Sequence, residues 1–265
     1  MNTTLIMVEP DMRSFLSGAG LTTGEDFLVT RIGTTISQSA SSTTRRFQLD
    51  SPATGSAYFL KVYPHDQRKL HWPLRRDKAS VEAANIQALR RIGVGVPEVV
   101  CHGYQSGLLS RRASFIVTRD VGAARPLDEY VDAVWPSGPD ARSTSRRRSL
   151  IRETARLVRK MHDAVFFHID LQWRNILVSE DGASWRLSVI DSPRGGKRTW
   201  GVFREHGRLR DLSSFAKQAA GRSTRAEQIR WLHAYLGTAK LVGPGRELVR
   251  VIARDRASKD NSHRA

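Results

Sequence analysis

The sequence predicts an α+β fold with two lobes, a strand-rich N-terminal lobe followed by a mainly helical C-terminal lobe. Apolar runs of strand length recur through residues 27–118, whereas helix-period patterns dominate residues 119–253. A third observation is a polar loop at residues 168–175, which precedes two apolar runs joined by Asp-Gly, the pattern of a β-hairpin. We therefore divide the chain into a lead-in at 1–26, the two lobes, and a polar tail at 254–265 that is expected to be disordered.

The first candidate site residue is a lysine inside an apolar strand. Residues 57–63 read Ala-Tyr-Phe-Leu-Lys-Val-Tyr, and a lysine is rarely buried in such a run without a partner. Glu82 follows in a predicted helix over 80–89, which consists largely of good helix formers and ends near Gly93. We predict an ion pair between Lys61 and Glu82. The alternatives are an edge-strand lysine that blocks aggregation and a solvated helix charge.

The most specific pattern is H-x-D-x-x-x-x-N at residues 168–175. It follows a helix predicted over 149–164 and precedes the hairpin, which ends at Asp191. Because a hairpin brings its outer ends together, Asn175 and Asp191 should lie side by side, where their oxygens suit Mg²⁺. Asp170 would accept the proton of an attacking hydroxyl, as in a kinase-like phosphotransferase. The alternative is a surface hairpin whose polar ends only cap its strands.

No glycine-rich phosphate loop precedes Lys61. Two antiparallel strands are predicted at 27–32 and 46–49, and the residues 33–44 between them carry serine and threonine but no G-x-G-x-x-G. Hydroxyl groups and backbone amides could cradle a phosphate there. Equally, the segment could be a polar hairpin loop.

With these residues, the chain resembles the bacterial lipopolysaccharide core kinases, which are the heptose and keto-deoxy-octulosonate (Kdo) kinases of the protein-kinase-like superfamily. The resemblance runs from about Tyr58 to Phe215, and its most telling part is the run from Met161 to Leu171 that leads to Asn-Ile-Leu-Val at 175–178. It implies a bilobal protein-kinase-like fold. It also implies an ATP-dependent enzyme that phosphorylates an inner-core sugar at the cytoplasmic face of the inner membrane, with heptose as the favoured sugar.

The resemblance also implies a role for each candidate residue. Asp170 is the expected base. Asp211, in a later Arg-Asp-Leu stretch, would brace the catalytic loop at residues 168–175, and His168 would hydrogen-bond the backbone of that loop. The remaining expected contacts are Lys61 and Glu82 for ATP, and Asn175 and Asp191 for Mg²⁺.

Two departures from protein kinases favour a small or lipid-linked acceptor over a protein. Ile169 stands where eukaryote-like protein kinases have the arginine that answers a phosphorylated activation loop. Asp191-Ser192-Pro193 replaces D-F-G, and the short basic segment 194–210 contains no recognisable platform for a peptide.

The charge of the chain points to polyanionic partners. Lys and Arg number 43 against 26 Asp and Glu, a net charge of +17 with a pI near 11.0, and such a field attracts polyanions. We expect the core–lipid A acceptor and the anionic inner-membrane surface as partners. Basic stretches at 65–78, which includes Trp72, and at 132–148 either contact headgroups and acceptor phosphates or stay solvated. No nucleic-acid module is recognisable, so nucleic acid is not an expected partner.

Cysteine usage and hydropathy are compatible with the cytoplasmic, peripherally membrane-bound location that the resemblance implies. Cys101 is the single cysteine, which excludes an internal disulfide and a cysteine-based zinc site. No apolar run reaches the roughly 20 residues of a membrane span, and no secretory signal is evident.

Three rival functions remain on sequence grounds. The first is a small-molecule kinase of the aminoglycoside or choline type, and the second is a non-catalytic, pseudokinase-like scaffold at the membrane. The third is a basic nucleic-acid binder, whose sign would be salt-sensitive DNA binding.

Overall fold

The computed structural model describes most of the chain, namely residues 2–49, 57–64, 76–106, 113–135, 145–182 and 184–238, with scattered positions from 240 to 251. The chain divides into two compact units, residues 1–88 with 96–122 and residues 89–95 with 123–265.

The first unit is built on one antiparallel sheet. Its elements are β1 (Asn2–Val8), α1 (Arg13–Gly18), α2 (Gly24–Val29), β2 (Thr34–Gln38), β3 (Thr43–Gln48), β4 (Ala57–Tyr63), α3 (Lys78–Arg91), β5 (Val99–Ser106) and β6 (Ser114–Arg119). The six strands lie in the order β1-β5-β6-β4-β3-β2, and every neighbouring pair is antiparallel. Since β4 is an interior strand, the edge-strand interpretation of Lys61 is wrong.

The N-terminal residues differ from the sequence-based expectation. The segment expected as a lead-in contains β1, which pairs with β5, and α2 replaces the first half of the strand predicted at 27–32. A capping box starts α2, because the Thr23 hydroxyl accepts from Asp26 N at 3.4 Å and the Asp26 carboxylate accepts from Thr23 N at 2.6 Å. Phe27 stacks on Phe115 with ring centres 4.5 Å apart. The apolar pattern of this segment therefore reflects helix packing.

The two faces of β4 contact different partners. Tyr58 and Leu60 are buried in a core with Phe115. Tyr63 packs in a second cluster formed with α3. Because side chains alternate along a strand, Lys61 shares the face of Tyr63 and meets α3.

The second unit is mainly helical. Its elements are β7 (Arg125–Pro126), α4 (Leu127–Val134), α5 (Ser145–Asp163), β8 (Phe166–Phe167), β9 (Ile176–Asp181), β10 (Ser184–Val189), β11 (Gly196–Lys197), α6 (Gly201–Ala219) and α7 (Arg225–Leu236). The strands form a three-stranded sheet in the order β10-β9-β7 and a pair of β11 with β8. The predicted hairpin is present as β9 and β10.

The arginine run at 146–148 lies in helix α5 and not in the loop that the sequence suggested. Arg147 is buried, and its Nε donates to Glu227 Oε1 at 2.6 Å. Arg146 pairs with Glu180 at 2.5 Å. These two arginines anchor the start of α5 to α7 and to β9, because each finds a carboxylate there.

Several other expectations fall outside the described residues. These are the part of the basic stretch that contains Trp72, the centre of the insertion at 136–144, and the tail at 254–265. Among the residues that the structure does describe, no helix has the length and apolar character of a membrane span.

Candidate active site

In the first unit, the predicted ion pair between Lys61 and Glu82 is present. Lys61 Nζ lies 3.4 Å from Glu82 Oε1, and the two side chains are 14% and 5% exposed. The Tyr63 hydroxyl donates to the other carboxylate oxygen, Glu82 Oε2, and Lys61 Nζ lies 5.1 Å from the centre of the Tyr63 ring. A buried charge needs such partners. Glu82 is therefore fixed through both oxygens and orients the lysine.

The segment in place of a phosphate loop is a hairpin closed by serine. Ser39 Oγ accepts from the backbone N of Ser41 at 3.2 Å and of Ser42 at 3.1 Å, and Ser39 N donates to the Ser42 carbonyl at 2.9 Å. Two amides that could cradle a phosphate are thus already occupied. This arrangement favours the plain hairpin interpretation.

In the second unit, the hairpin brings the two predicted metal ligands to neighbouring chain ends. Ile190 N donates to the Asn175 carbonyl at 3.0 Å, directly before Asp191. Asn175 is buried, and its Nδ2 donates to the Asp170 carbonyl at 2.8 Å, which leaves Oδ1 as the amide atom for a cation. An amide oxygen and a carboxylate fit Mg²⁺, which usually binds few protein ligands together with water and substrate phosphates. The described residues contain no group of three or more His, Cys, Asp or Glu that could hold a metal by themselves.

Strained backbone surrounds the catalytic loop. Among the described residues, the non-glycine positions with positive φ are Val165 at 53°, Ile169 at 71° and Asp191 at 58°. Each such residue costs about 1–3 kcal/mol and persists where the surrounding structure fixes it, often at functional sites. Ile169 directly precedes Asp170, and Asp191 is itself one of the three residues, so positive-φ positions lie at both candidate carboxylates.

Asp170 is half-buried and held by a neighbour that sequence reasoning missed. Gln172 Nε2 donates to Asp170 Oδ1 at 2.7 Å, and Gln172 N donates to the Asp170 carbonyl at 2.8 Å. No described residue bonds to Oδ2. One carboxylate oxygen is thus oriented, and the other is placed to receive a proton.

The carboxylate of Asp211 contacts the backbone of this loop. It is fully buried in α6, and its carboxylate accepts from His168 N at 2.8 Å, from Ile169 N at 2.6 Å and from His162 Nε2 at 3.2 Å. His168 Nε2 donates to the Ile190 carbonyl at 2.9 Å, which ties the loop to the end of β10. The backbone directly before the candidate base is therefore held from both sides.

The close approach of α6 depends on Gly207. A Cβ at this position would lie 2.7 Å from Phe167 Cγ. Asp211 follows one helical turn later on the same face. The glycine therefore lets the carboxylate reach the amides after Phe167, and no sequence motif marked it.

A chain of hydrogen bonds continues from Asp211 through His162 and Tyr235 to Arg208. His162 Nδ1 accepts from the Tyr235 hydroxyl at 2.8 Å, and Tyr235 accepts from Arg208 Nε at 3.0 Å. Burial raises the pKa of Tyr235, so the phenol keeps its proton and can donate. The carboxylate of Asp211 only accepts, so His162 carries its proton on Nε2.

A solved structure titled "WaaP in complex with acyl carrier protein" has the same fold. It superposes with a TM-score of 0.70 at 24% identity and covers 96% of this chain and 98% of that one. The predicted α+β, protein-kinase-like fold is thereby confirmed.

Curated relatives are named as lipopolysaccharide sugar kinases. The lipopolysaccharide core heptose(I) kinase WaaP of Pseudomonas aeruginosa is 28% identical over 205 residues, which cover 72% of this chain and 73% of the relative. The Escherichia coli WaaP is 31% identical over 169 residues, 59% of this chain and 60% of that protein. The 3-deoxy-D-manno-octulosonic acid kinase of Mannheimia succiniciproducens is 22% identical over 148 residues, which cover 56% of this chain and 54% of that protein. The chain thus spans little more than half of two of these relatives.

The sequence model described as "Lipopolysaccharide kinase (Kdo/WaaP) family" matches residues 35–235. This stretch includes the buried ion pair, the catalytic loop, the hairpin and the brace from α6. It makes up well over half of the chain, so the chain belongs to the lipopolysaccharide kinase (Kdo/WaaP) family.

Proposed function

We propose that this chain transfers the γ-phosphoryl group of ATP to a sugar hydroxyl of the lipopolysaccharide inner core, with heptose as the preferred acceptor. The chain belongs to a family of lipopolysaccharide kinases. The choice of heptose is supported by the relatives named for it, which are 28% and 31% identical, against 22% for the octulosonic acid kinase of Mannheimia.

The observation that carries the proposal is the fixed catalytic loop. Asp211 holds the loop backbone, and Gln172 orients one oxygen of Asp170. In the proposed reaction, Asp170 Oδ2 accepts the proton of the acceptor hydroxyl. The hydroxyl oxygen forms a bond to the γ-phosphorus, and the bond from that phosphorus to ADP breaks.

The remaining candidate residues would bind the nucleotide. Mg²⁺ neutralises phosphate charge when it is bound, and Asn175 Oδ1 and the Asp191 carboxylate are its proposed ligands. Lys61 would contact the α- and β-phosphates, and Glu82 would hold the Lys61 side chain in position for that contact.

The proposed location is the cytoplasmic face of the inner membrane, with peripheral attachment. ATP and a lipid-linked acceptor meet there. The net charge of +17 supports attraction to anionic lipids.

Phosphate transfer tests the proposed function directly. We expect labelled Mg-ATP to label purified core lipopolysaccharide that lacks inner-core phosphate, and not a truncated glycolipid that ends at Kdo. Equal labelling of both acceptors would contradict the heptose assignment. Transfer only to free aminoglycosides or choline would establish the small-molecule rival, and failure to bind Mg-ATP would establish the scaffold.

Lys61→Met is expected to lower kcat/KM for ATP by about tenfold to a hundredfold, because one hydrogen-bonded charge on the phosphates is lost. The KM for the glycolipid should change little. Initial rates at varied ATP measure both parameters. Lys217→Met is the matched control, since Lys217 is an exposed lysine of α6. Equal nucleotide dependence in the two variants would remove Lys61 from the ATP site.

A further inference from the structure

An exposed apolar cluster begins helix α6. Trp200 caps the helix, and Trp200, Val202 and Phe203 are 77%, 83% and 58% exposed. The first two are the most exposed large hydrophobic residues in the part of the chain that the structure describes. Single exposed apolar residues are ordinary, but three within four positions mark an interaction surface.

The cluster lies inside a strongly basic segment. Residues 194–210 contain six Lys or Arg and one acidic residue, a net charge of 6 − 1 = +5. Arg208 donates to Tyr235. The other five have no carboxylate partner among the described residues, and they are Arg194, Lys197, Arg198, Arg204 and Arg210. These charges are therefore available to an anionic partner.

The start of α6 extends beyond the core of its own unit. Residues 201–206 are all exposed, and burial in this helix begins at Gly207. Phe203 lies on the row of Gly207, Asp211 and Phe215, which recur every four residues, but it precedes the buried part of that row and is 58% exposed. The apolar residues at the helix start are therefore not covered by the packing that holds the rest of α6.

We propose that Trp200, Val202 and Phe203, together with the cations of 194–210, form a docking surface for a bilayer rich in anionic phospholipid. Aromatic and aliphatic side chains flanked by arginine and lysine suit the boundary between the acyl chains and the headgroups of a bilayer. In the proposed complex this apolar wedge, formed by Trp200, Val202 and Phe203, inserts among the acyl chains, and the cations contact the lipid phosphates. The charge distinguishes this partner from a purely apolar protein groove.

The docking surface is connected to the catalytic loop within the second unit. Gly196 and Lys197 of β11 pair with Phe167 and Phe166 of β8, directly before His168. Docking would therefore hold the loop near the headgroup layer, where the inner-core sugars of a glycolipid begin. This consequence rests on the proposed function, whereas phospholipid binding does not.

Co-sedimentation of the full chain with vesicles tests the docking surface without ATP or glycolipid, so the result is independent of the kinase assay. We expect binding to phosphatidylcholine vesicles that contain phosphatidylglycerol, loss of binding in high salt, and little binding to phosphatidylcholine alone. Trp200→Ser/Phe203→Ser should weaken binding by at least about tenfold. Arg198→Gln/Arg204→Gln should weaken it as well, and mainly at low salt.

Matched controls lie elsewhere on the surface. Val29→Ser/Val134→Ser removes two exposed valines, and Lys217→Gln/Arg225→Gln removes two exposed cations. Both should bind like wild type. The proposal is overturned if the docking variants also bind like wild type, or if binding requires lipopolysaccharide in the vesicle. It is equally overturned if sedimentation velocity shows that the wedge joins two copies of the chain.

Discussion

Replacing Asp170 with asparagine is expected to lower kcat for phosphate transfer by about 10²- to 10⁴-fold, the usual contribution of a positioned base. Asparagine keeps an oxygen that can accept from Gln172 Nε2, a bond of 2.7 Å in the wild type. The loop should therefore keep its shape while the proton acceptor is lost. Steady-state transfer of labelled phosphate to core glycolipid measures kcat, and the KM for ATP should stay near the wild-type value.

Asp181→Asn is the matched control for this variant. Asp181 ends β9, and its carboxylate is 58% exposed and paired with Arg186 at 3.0 Å. It should therefore retain full activity. Equal thermal unfolding midpoints of the two variants would show that the fold is intact. A kcat for Asp170→Asn within about twofold of the control would assign proton removal to another group, since a base contributes far more than that.

Local sequence rules predicted the elements of the second unit that position the candidate metal ligands. The hairpin followed from Asp181-Gly182 between two apolar runs, because that dipeptide suits a tight turn. Its register then placed the Asn175 carbonyl opposite Ile190 N at 3.0 Å. The ion pair of Lys61 with Glu82 was also predictable, since a lysine in an apolar strand requires a carboxylate.

The contacts that sequence reasoning missed are long-range. His162 meets Asp211 and Tyr235, which lie 49 and 73 residues further along the chain. Gly207 matters only because α6 crosses Phe167. No local pattern encodes which helices will pack together, so these residues looked like ordinary helix positions.

Local patterns also misplaced one element. Phe27 and its apolar neighbours suggested a strand, but Thr23 and Asp26 form a capping box that starts a helix instead. The cap had a sequence signature, a threonine followed three residues later by an acid. The apolar run outweighed that signature in the prediction because short apolar runs fit either structure.

Asp211→Ala is expected to reduce the free energy of unfolding by about 3–5 kcal/mol, because three buried donors lose their acceptor and each unsatisfied donor costs about 1–3 kcal/mol. The backbone N–H groups of His168 and Ile169 would lose their acceptor inside the protein, and so would His162 Nε2. Urea unfolding followed by circular dichroism measures the loss. Amide hydrogen exchange at residues 168 and 169 reports the loop itself and should accelerate more than exchange in α3.

The same variant should lose activity before it loses structure. Two of the hydrogen bonds of Asp211 fix the backbone directly ahead of Asp170, and a misplacement of about 1 Å can cost on the order of a hundredfold in rate. Asp211→Asn keeps one acceptor oxygen and should fall between alanine and wild type. Asp163→Ala is the control, because it removes an exposed ion pair with Arg159, worth about 0–1 kcal/mol. If Asp211→Ala behaved like Asp163→Ala, the loop would have to be held by the bond from His168 Nε2 to the Ile190 carbonyl, and α6 would be a passive neighbour of the site.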